Sequence, residues 1–314
     1  MVRFCLWTFF VASFIVFLLG NTSALEPEWE YDAGDFVVDL SLSEDGSILA
    51  SGMSTASIHD TDSSTPAFTT ADTGVQSVAV TGDGRFMATG STDDRIRLFG
   101  NSSSTPLWTY NTGSDVKSVS ASRDGGTIAV ANDGGKLMVF NSTGDQPEWT
   151  FSTGSAINSV AVSQDGEYIV AGRSNGQVYL FSRDSNIPVW NFGIGSSVTA
   201  VAISGDGSYM TVGSGNKRVY LFEKDDSTPL WDYLTGGSVD SVDISLAGNY
   251  LVAGGGDYKV YLFGRESSQP VWDYETDGWV LDVAISGNGE YIAAGGLDST
   301  IYCFSHNSAV PKWS

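Results

Sequence analysis

Short stretches that alternate apolar with small polar residues follow one another along most of the chain. One set runs from Ile157 to Ser163, from Tyr168 to Gly172 and from Val178 to Phe181. A period of two is typical of β-strands that bury one face. Asp165-Gly166 and Asn175-Gly176 separate the three stretches, and both dipeptides favour tight turns. The pattern predicts three consecutive antiparallel strands joined by hairpins.

A recurring proline marks a fourth strand in each set. The prolines lie 39, 40 and then 41 residues apart, and an aromatic residue follows each by two positions. The prolines are Pro27, Pro66, Pro106, Pro147, Pro188, Pro229, Pro270 and Pro311, and the aromatic residues are Trp29, Phe68, Trp108, Trp149, Trp190, Trp231, Trp272 and Trp313. Proline suits an outer edge strand, because such a strand can spare an amide hydrogen. We therefore expect the tryptophans to lie on outer strands.

A repeat of about 40 to 45 residues with four strands is the signature of a β-propeller blade. Eight proline marks enclose seven repeats. The predicted fold is all-β, a seven-bladed β-propeller of four-stranded antiparallel blades. We expect the N-terminal segment Pro27–Tyr31 to supply the outer strand of the last blade and close the ring. Pro311–Ser314 is then a spare end.

Glycine recurs at two equivalent positions of the repeats, which we call the first and second glycine columns. The first follows Asp or Asn in six of seven first hairpins, with Ala247-Gly248 the exception, and predicts tight turns. The second ends the second strand, where we expect positive φ. Its members are Gly52, Gly90, Gly172, Gly213, Gly254 and Gly295, with Asn132 in the third repeat.

The first 24 residues have the layout of a signal peptide. Arg3 precedes the apolar run from Phe4 to Leu19, and Thr22-Ser23-Ala24 offers small residues for cleavage. We predict a leader over residues 1–24, a propeller over residues 25–314, and a secreted or cell-surface protein. If the leader is not cleaved, the chain is instead anchored in a membrane by its N-terminus.

Charge and cysteine content narrow the class of protein. The chain has 37 acidic and 15 basic residues, a net charge of −22. Because few cations are available to bind phosphates, we expect no nucleic-acid partner. Either solubility in a salty exterior or a surface for cations and cationic partners accounts for the acidic excess. Cys303 is the one cysteine after the leader, so the mature chain forms no internal disulfide, and we expect a monomer.

The segment SVAVSQDGEYIVAGRSNGQVYLF of the fourth repeat, with its counterparts, resembles the three inner strands of WD-repeat propellers. The resemblance covers residues 27–314 and implies the propeller fold. The chain departs from the family pattern because no repeat has a Gly-His pair before its first strand. Leu-Phe or Val-Phe also replaces the Trp-Asp pair at the end of the third strand. The usual histidine–aspartate network is therefore missing.

The Pro-x-Trp motif is also similar to propellers that bind pyrroloquinoline quinone. Those enzymes have eight blades, a calcium-bound cofactor and a vicinal cysteine pair. This chain has seven repeats and one cysteine after the leader. We therefore carry over no cofactor from the resemblance.

Repeats one and seven, neighbours in a closed ring, differ from the others just before the first strand. Phe36 and Trp279 stand there, and the other repeats carry Gly74, Asp115, Ala156, Ser197 and Ser238. Two exposed aromatics would form a patch typical of binding sites. Alternatively, the two rings pack against each other and seal the closure.

Aspartates distinguish the same region. Asp39 and Asp282 replace the small residues of other first strands, and Asp240 and Asp243 lie in the sixth repeat. If they converge near the channel mouth, their oxygens suit a hard divalent cation. Otherwise they are separate hydrated carboxylates along a wet channel.

The sequence has no catalytic motif, and neither His59 nor His306 has a visible nucleophile or metal partner. We predict a non-enzymatic exported scaffold that recognises a protein or small ligand near blades one and seven. The alternatives are a secreted hydrolase or oxidoreductase with a channel active site, and a passive cell-surface structural protein. Asn101 and Asn141 match the glycosylation acceptor pattern.

Overall fold

The computed structural model describes residues 31, 32 and 34–314. The predicted leader, and residues 27–30 of the expected closing strand, lie outside this part of the chain. Seven four-stranded antiparallel sheets account for the described strands, and in each sheet the strands follow chain order. This confirms the predicted seven-bladed β-propeller. Among the described residues, no helix is long and apolar enough to cross a membrane.

The blades are numbered in chain order, and each runs from an inner first strand to an outer fourth strand. Blade one contains β1 (Asp39–Leu42), β2 (Ile48–Gly52), β3 (Ala56–Asp60) and β4 (Phe68–Thr69). Blade two contains β5 (Val75–Val80), β6 (Phe86–Ser91), β7 (Arg95–Gly100) and β8 (Trp108–Asn111). Blade three contains β9 (Val116–Ala121), β10 (Ile128–Asn132), β11 (Lys136–Phe140) and β12 (Trp149–Ser152). Blade four contains β13 (Ile157–Val162), β14 (Tyr168–Arg173), β15 (Gln177–Ser182) and β16 (Trp190–Gly193).

The remaining three blades repeat this arrangement. Blade five contains β17 (Val198–Ile203), β18 (Tyr209–Ser214), β19 (Arg218–Glu223) and β20 (Trp231–Leu234). Blade six contains β21 (Val239–Ile244), β22 (Tyr250–Gly255), β23 (Lys259–Gly264) and β24 (Pro270–Glu275). Blade seven contains β25 (Val280–Ile285), β26 (Tyr291–Gly296), β27 (Ile301–Ser305) and β28 (Ser308–Trp313).

The first hairpin of each blade has the turn that its sequence predicts. In blade four, Asp165 accepts the Ser163 hydroxyl at 2.6 Å and the Glu167 N–H at 3.0 Å. Gly166 then takes a φ of 78°, which glycine adopts without a steric cost. The six equivalent glycines also have positive φ: Gly46, Gly84, Gly125, Gly207, Gly248 and Gly289.

The second glycine column has a different cause from the one predicted. None of its glycines has positive φ, so that expectation was wrong. A Cβ on Gly172 would lie 2.2 Å from Val198 Cγ1, and one on Gly90 would lie 2.3 Å from Val116 Cγ1. The first strand of the next blade therefore approaches too closely for a side chain. In blade three the equivalent residue is Ala131, which pairs with Ser118, so the assignment of Asn132 to this column was wrong.

The tryptophans of the outer strands pack against the next blade and donate hydrogen bonds to it. The ring of Trp190 stacks on Phe222 at 5.4 Å between centroids, and its Nε1 donates to the Lys224 carbonyl at 2.8 Å. The phenylalanine is completely buried, so the pair forms part of the interblade core. The same two contacts are made by Trp108, Trp149, Trp231 and Trp272. Trp29 lies outside the described residues.

The outer strand of blade seven is β28, from the C-terminal end of the chain. Cys303 pairs with Trp313 as Leu262 pairs with Trp272 in blade six. The expectation that Pro27–Tyr31 takes this place, with Pro311–Ser314 left spare, was wrong. A two-residue connection joins β27 to β28, so this pairing orders very little chain.

Candidate functional site

The residues that set blades one and seven apart lie on one face of the ring. Val280 at the start of β25 pairs with Gly296 at the end of β26, so the segment entering a blade lies beside its second turn. We call the surface made by these segments and turns the entry face. A backbone hydrogen bond joins the two parts in blade seven, from Leu297 N–H to the Trp279 carbonyl at 2.9 Å.

The side chain of Trp279 reaches from blade seven to blade six. Its Nε1 donates a hydrogen bond to the carboxylate of Asp240, which also accepts the hydroxyl of Ser238 at 3.3 Å. A Cβ on Gly256 would lie 3.3 Å from Cε2 and Cζ2 of the indole, so the ring covers this glycine closely. The indole is half-buried. It is therefore held against blade six, on the side away from blade one.

Two exposed apolar residues lie in the two turns that Trp279 contacts. Leu297 is 45% exposed, and Tyr258, in the same turn as Gly256, is 48% exposed. At the position of Leu297, blades two to six carry Thr92, Asp133, Ser174, Gly215 and Gly256. Sequence reasoning missed both residues, although comparing the second turns column by column would have found them.

Tyr258 occupies a backbone conformation that its residue type disfavours. Its φ is 64°, and Gly135 and Gly176 fill the same position in blades three and four. The turn requires this conformation, which costs a residue with a Cβ of the order of 1 kcal/mol. An exposed tyrosine recovers little of that cost through packing. Asp94, Lys217 and Ser299 adopt the same conformation in blades two, five and seven, so the turn accepts residues other than glycine.

A position on the first strand is also apolar in blades one and seven and polar in the other blades. Val38, which is 44% exposed, and the half-buried Leu281 are its members in blades one and seven. The other blades carry Gln76, Lys117, Asn158, Thr199 and Asp240 there. We define the seam patch as the apolar residues of these positions together with the two predicted aromatics: Phe36, Val38, Tyr258, Trp279, Leu281 and Leu297.

Phe36 enters blade one as Trp279 enters blade seven, and it is half-buried. Asp35, directly before it, is exposed and interacts with Ser54 of the second turn of the same blade. Hydrogen bonds from the Ser54 side chain and from the Phe36 N–H hold the pKa of Asp35 below its usual value. The entry segment of blade one is therefore fixed to the entry face with its carboxylate charged.

Asp39 joins the inner strands of blades one and two. Its Oδ2 accepts the Val78 N–H at 2.8 Å, and its Oδ1 accepts the Leu40 N–H at 2.9 Å. The hydroxyl of Ser118 accepts an N–H of blade four in the same way, at 3.2 Å. Burial raises the pKa of Asp39 to about 6, and the nearby carboxylate of Asp282 adds to the rise. The arrangement gives Asp39 a structural role between blades.

Asp243 performs the same role between blades six and seven. Its Oδ2 accepts the Ile285 N–H at 2.8 Å, and its Oδ1 accepts the Ile244 N–H at 2.8 Å. Burial raises its pKa to about 7, with a smaller contribution from Asp282. Asp282 accepts the Ser241 hydroxyl at 2.7 Å, and desolvation among the inner strands raises its pKa although the residue is exposed in part.

The four predicted aspartates lie at three levels of the inner strands. Asp240 is at the entry face beside Trp279, Asp39 and Asp282 share the next level, and Asp243 lies one level deeper. Within residues 31, 32 and 34–314, no three His, Cys, Asp or Glu side chains are grouped to hold a metal ion. A bound divalent cation stays a prediction from the sequence.

Two family models match parts of the chain. The model for the WD domain, G-beta repeat, matches residues 63–99 and 268–305. The model for outer membrane protein assembly factor BamB matches residues 92–216. A search of curated proteins finds no match to the sequence.

Each WD match begins at an outer strand and ends after the three inner strands of the next blade. Residues 63–99 include β4 and most of β5–β7, and residues 268–305 include β24 and β25–β27. The chain is a seven-bladed β-propeller that is similar to WD repeats in these two segments. The sequence repeat of this propeller is thus offset from its blades by one strand. Because of this offset, one repeat contains both sides of an interblade contact, such as Trp272 and Phe304.

Proposed function

We propose that this propeller is a non-enzymatic scaffold that recognises a protein partner through the seam patch. The observation that carries the proposal is the exposure of Tyr258 and Leu297 in the two turns that the half-buried Trp279 contacts. Clustered, partly exposed aromatic and aliphatic side chains are typical anchors of protein interfaces. The WD-type matches support a scaffold role in general. The matched BamB model is described as an assembly factor, which also fits a scaffold.

The arrangement of the indole favours recognition over a purely structural role. Asp240 and Gly256 fix the ring before any partner arrives, so little side-chain entropy is lost on binding. The channel aspartates, by contrast, use both carboxylate oxygens of Asp39 and Asp243 to accept backbone N–H groups. They are better explained as interblade contacts than as an acid–base pair. We further propose that the scaffold acts outside the cell or at its surface.

Affinity capture with residues 25–314 tests the proposed function. The wild-type protein is compared with Trp279→Ala, with Leu297→Ser, and with Leu230→Ser as the matched control. Leu230 is 47% exposed on blade five, close to the 45% of Leu297. Leu297→Ser guards against loss of folding in Trp279→Ala, since circular dichroism should show it unchanged.

We expect the same partner to be lost with both seam variants and retained with the Leu230→Ser control. Quantitative mass spectrometry of the captured proteins provides the measurement. If all four proteins capture the same set, the seam patch is not the recognition surface.

A further inference from the structure

The charges of the entry face are unevenly distributed around the ring. Asp32, Asp35, Asp277 and Asp298 lie in the entry segments and second turns of blades seven and one. The same segments, residues 31–38, 53–55, 276–281 and 297–300, contain no lysine or arginine. Within blades seven and one the seam patch is therefore bordered by acidic residues alone, and on its blade-six side Lys259 follows Tyr258.

Four other blades carry a lysine or arginine at the start of the third strand, and blades seven and one do not. The third strand begins with Arg95, Lys136, Arg218 and Lys259 in blades two, three, five and six. Lys259 Nζ lies 2.6 Å from an Asp273 oxygen, so such a cation neutralises an acid of its own blade. Blade seven has Thr300 before its third strand, and blade one has Thr55.

Two acidic side chains of blades one and seven can therefore bind a cationic side chain of a partner. Asp35 and Asp277 are exposed, and within the described part of the chain neither forms an ion pair. Trp279 follows Asp277 by two residues, and its indole adds an aromatic face, which attracts a lysine or arginine side chain. Leu297 and Val38 offer apolar contact beside these charges.

We propose that the partner of the seam patch is a basic polypeptide segment that carries lysine or arginine next to an apolar side chain. This inference rests on the proposed function and adds the chemistry of the partner. Charge complementarity favours such a segment over a second copy of this chain, because two entry faces would bring Asp35 and Asp277 against like charges. Nucleic acid is disfavoured for the same reason, since its phosphates are anionic.

Peptides selected on the wild-type protein from a random display library serve as probes. Each selected peptide is synthesised with fluorescein, together with a version in which every Lys and Arg is replaced by Glu. Binding is measured by fluorescence anisotropy to the wild type, to Asp35→Asn/Asp277→Asn, and to Asp184→Asn/Asp225→Asn. The control pair removes the same charge from two exposed residues of blades four and five. Both lie in the loops between the third and fourth strands, at the end of the blade away from the entry face. Trp279→Ala and Leu297→Ser complete the set.

We expect basic and apolar residues together in the selected peptides, and about tenfold weaker binding to Asp35→Asn/Asp277→Asn. The control pair should change the dissociation constant by less than about twofold, and the Glu peptides should not bind. If binding depends on Trp279 and Leu297 but not on charge, the basic partner is wrong while the seam patch stands. If binding depends on neither residue, the proposed function itself fails.

Discussion

The ring of Tyr31 meets the ring of His59 nearly edge-on, with 4.6 Å between centroids and 64° between planes. Tyr274 meets Phe304 at the boundary between blades six and seven in the same way, at 5.2 Å and 61°. His59 pairs with Leu49 as Phe99 pairs with Met87, so it occupies the phenylalanine position of blade one. Tyr31 therefore gives blade one the contact that the preceding outer strand gives elsewhere.

Both ends of the described chain thus contribute to the boundary between blades seven and one. Trp313 on β28 holds the tryptophan position, and Tyr31 holds the position of the second aromatic. The expectation that the N-terminal segment closes the ring was wrong for the strand itself. It did identify the aromatic residue that the N-terminal side contributes.

Replacing His59 with phenylalanine should remove part of the acid sensitivity of the fold. The side chain is 2% exposed, and burial lowers its pKa below the ordinary value of 6.5. The unfolded chain then binds a proton below about pH 6.5 that the native chain resists, so stability falls with acidification. We expect the wild type to lose about 1 kcal/mol more than His59→Phe between pH 7.5 and pH 5 in urea unfolding. Equal losses in the two proteins would contradict this.

The contribution of Asp243 to the stability of the fold should change with pH in the opposite direction. Its pKa is raised to about 7, so the native state binds a proton more readily than the unfolded chain between about pH 4 and 7. The stability linked to this proton is present at pH 4 and lost as the pH rises through 7. Asp243→Ser keeps an acceptor, as Ser41 does for Val80 in blade two, and removes the charge. We expect Asp243→Ser to be roughly 1–3 kcal/mol more stable than the wild type at pH 8.

A matched variant separates the charge of Asp243 from its hydrogen bond. Asp243→Val removes both, so the buried N–H of Ile285 loses its acceptor. We expect it to be about 1–3 kcal/mol less stable than Asp243→Ser at pH 8. Should the two variants unfold at the same urea concentration, the interblade hydrogen bond contributes nothing.

Alanine should destabilise the fold at Gly172 of the second glycine column, although Ala131 occupies the equivalent position of blade three. In Gly172→Ala the new Cβ would lie 2.2 Å from Val198 Cγ1, so the first strand of blade five would have to move. We expect a loss of roughly 1–3 kcal/mol in chemical unfolding. Gly100→Ala is the control, because a Cβ at Gly100 meets nothing within 4 Å. A comparable loss in both variants would show that backbone entropy, and not the approach of Val198, selects glycine.

The outer tryptophans should contribute through their N–H groups as well as their rings. Trp231→Phe removes the donor to the Arg265 carbonyl, a bond of 2.7 Å, and retains an aromatic ring near Phe263. We expect a loss of about 0.5–1.5 kcal/mol, and a larger loss for Trp231→Leu. Thermal unfolding of the three proteins measures this, and an unchanged melting temperature in Trp231→Phe would exclude the hydrogen bond as a source of stability.

The regular part of the fold is predictable because the sequence signals for it lie within each repeat. Proline spacing, alternating strands and Asp-Gly turns are all read within one repeat, so seven blades and their first hairpins follow. The second glycine column was misread because its cause, exemplified by Val198 against Gly172, lies across a blade boundary. Closure by the C-terminal strand was misread for a related reason. Segment length and aromatic content did not reveal the short β27–β28 hairpin.

The candidate site was predictable where one repeat differs from its neighbours in residue type. Comparison by column found Phe36 and Trp279, and it would also have found Leu297 and Tyr258. The hydrogen bond from Trp279 to Asp240 joins two blades and could not be read from either alone. The backbone conformation of Tyr258 likewise becomes visible only in the folded turn.

Site-specific photo-crosslinking tests recognition by the seam patch most directly. A photoreactive amino acid is placed at Leu297 or at Leu230, which have similar exposure but lie on different blades. Each protein is irradiated with the partner found by affinity capture, and the crosslinked product is quantified on a denaturing gel. We predict crosslinking from position 297 and not from position 230. Crosslinking from position 230 alone would contradict the assignment of the seam patch as the binding surface.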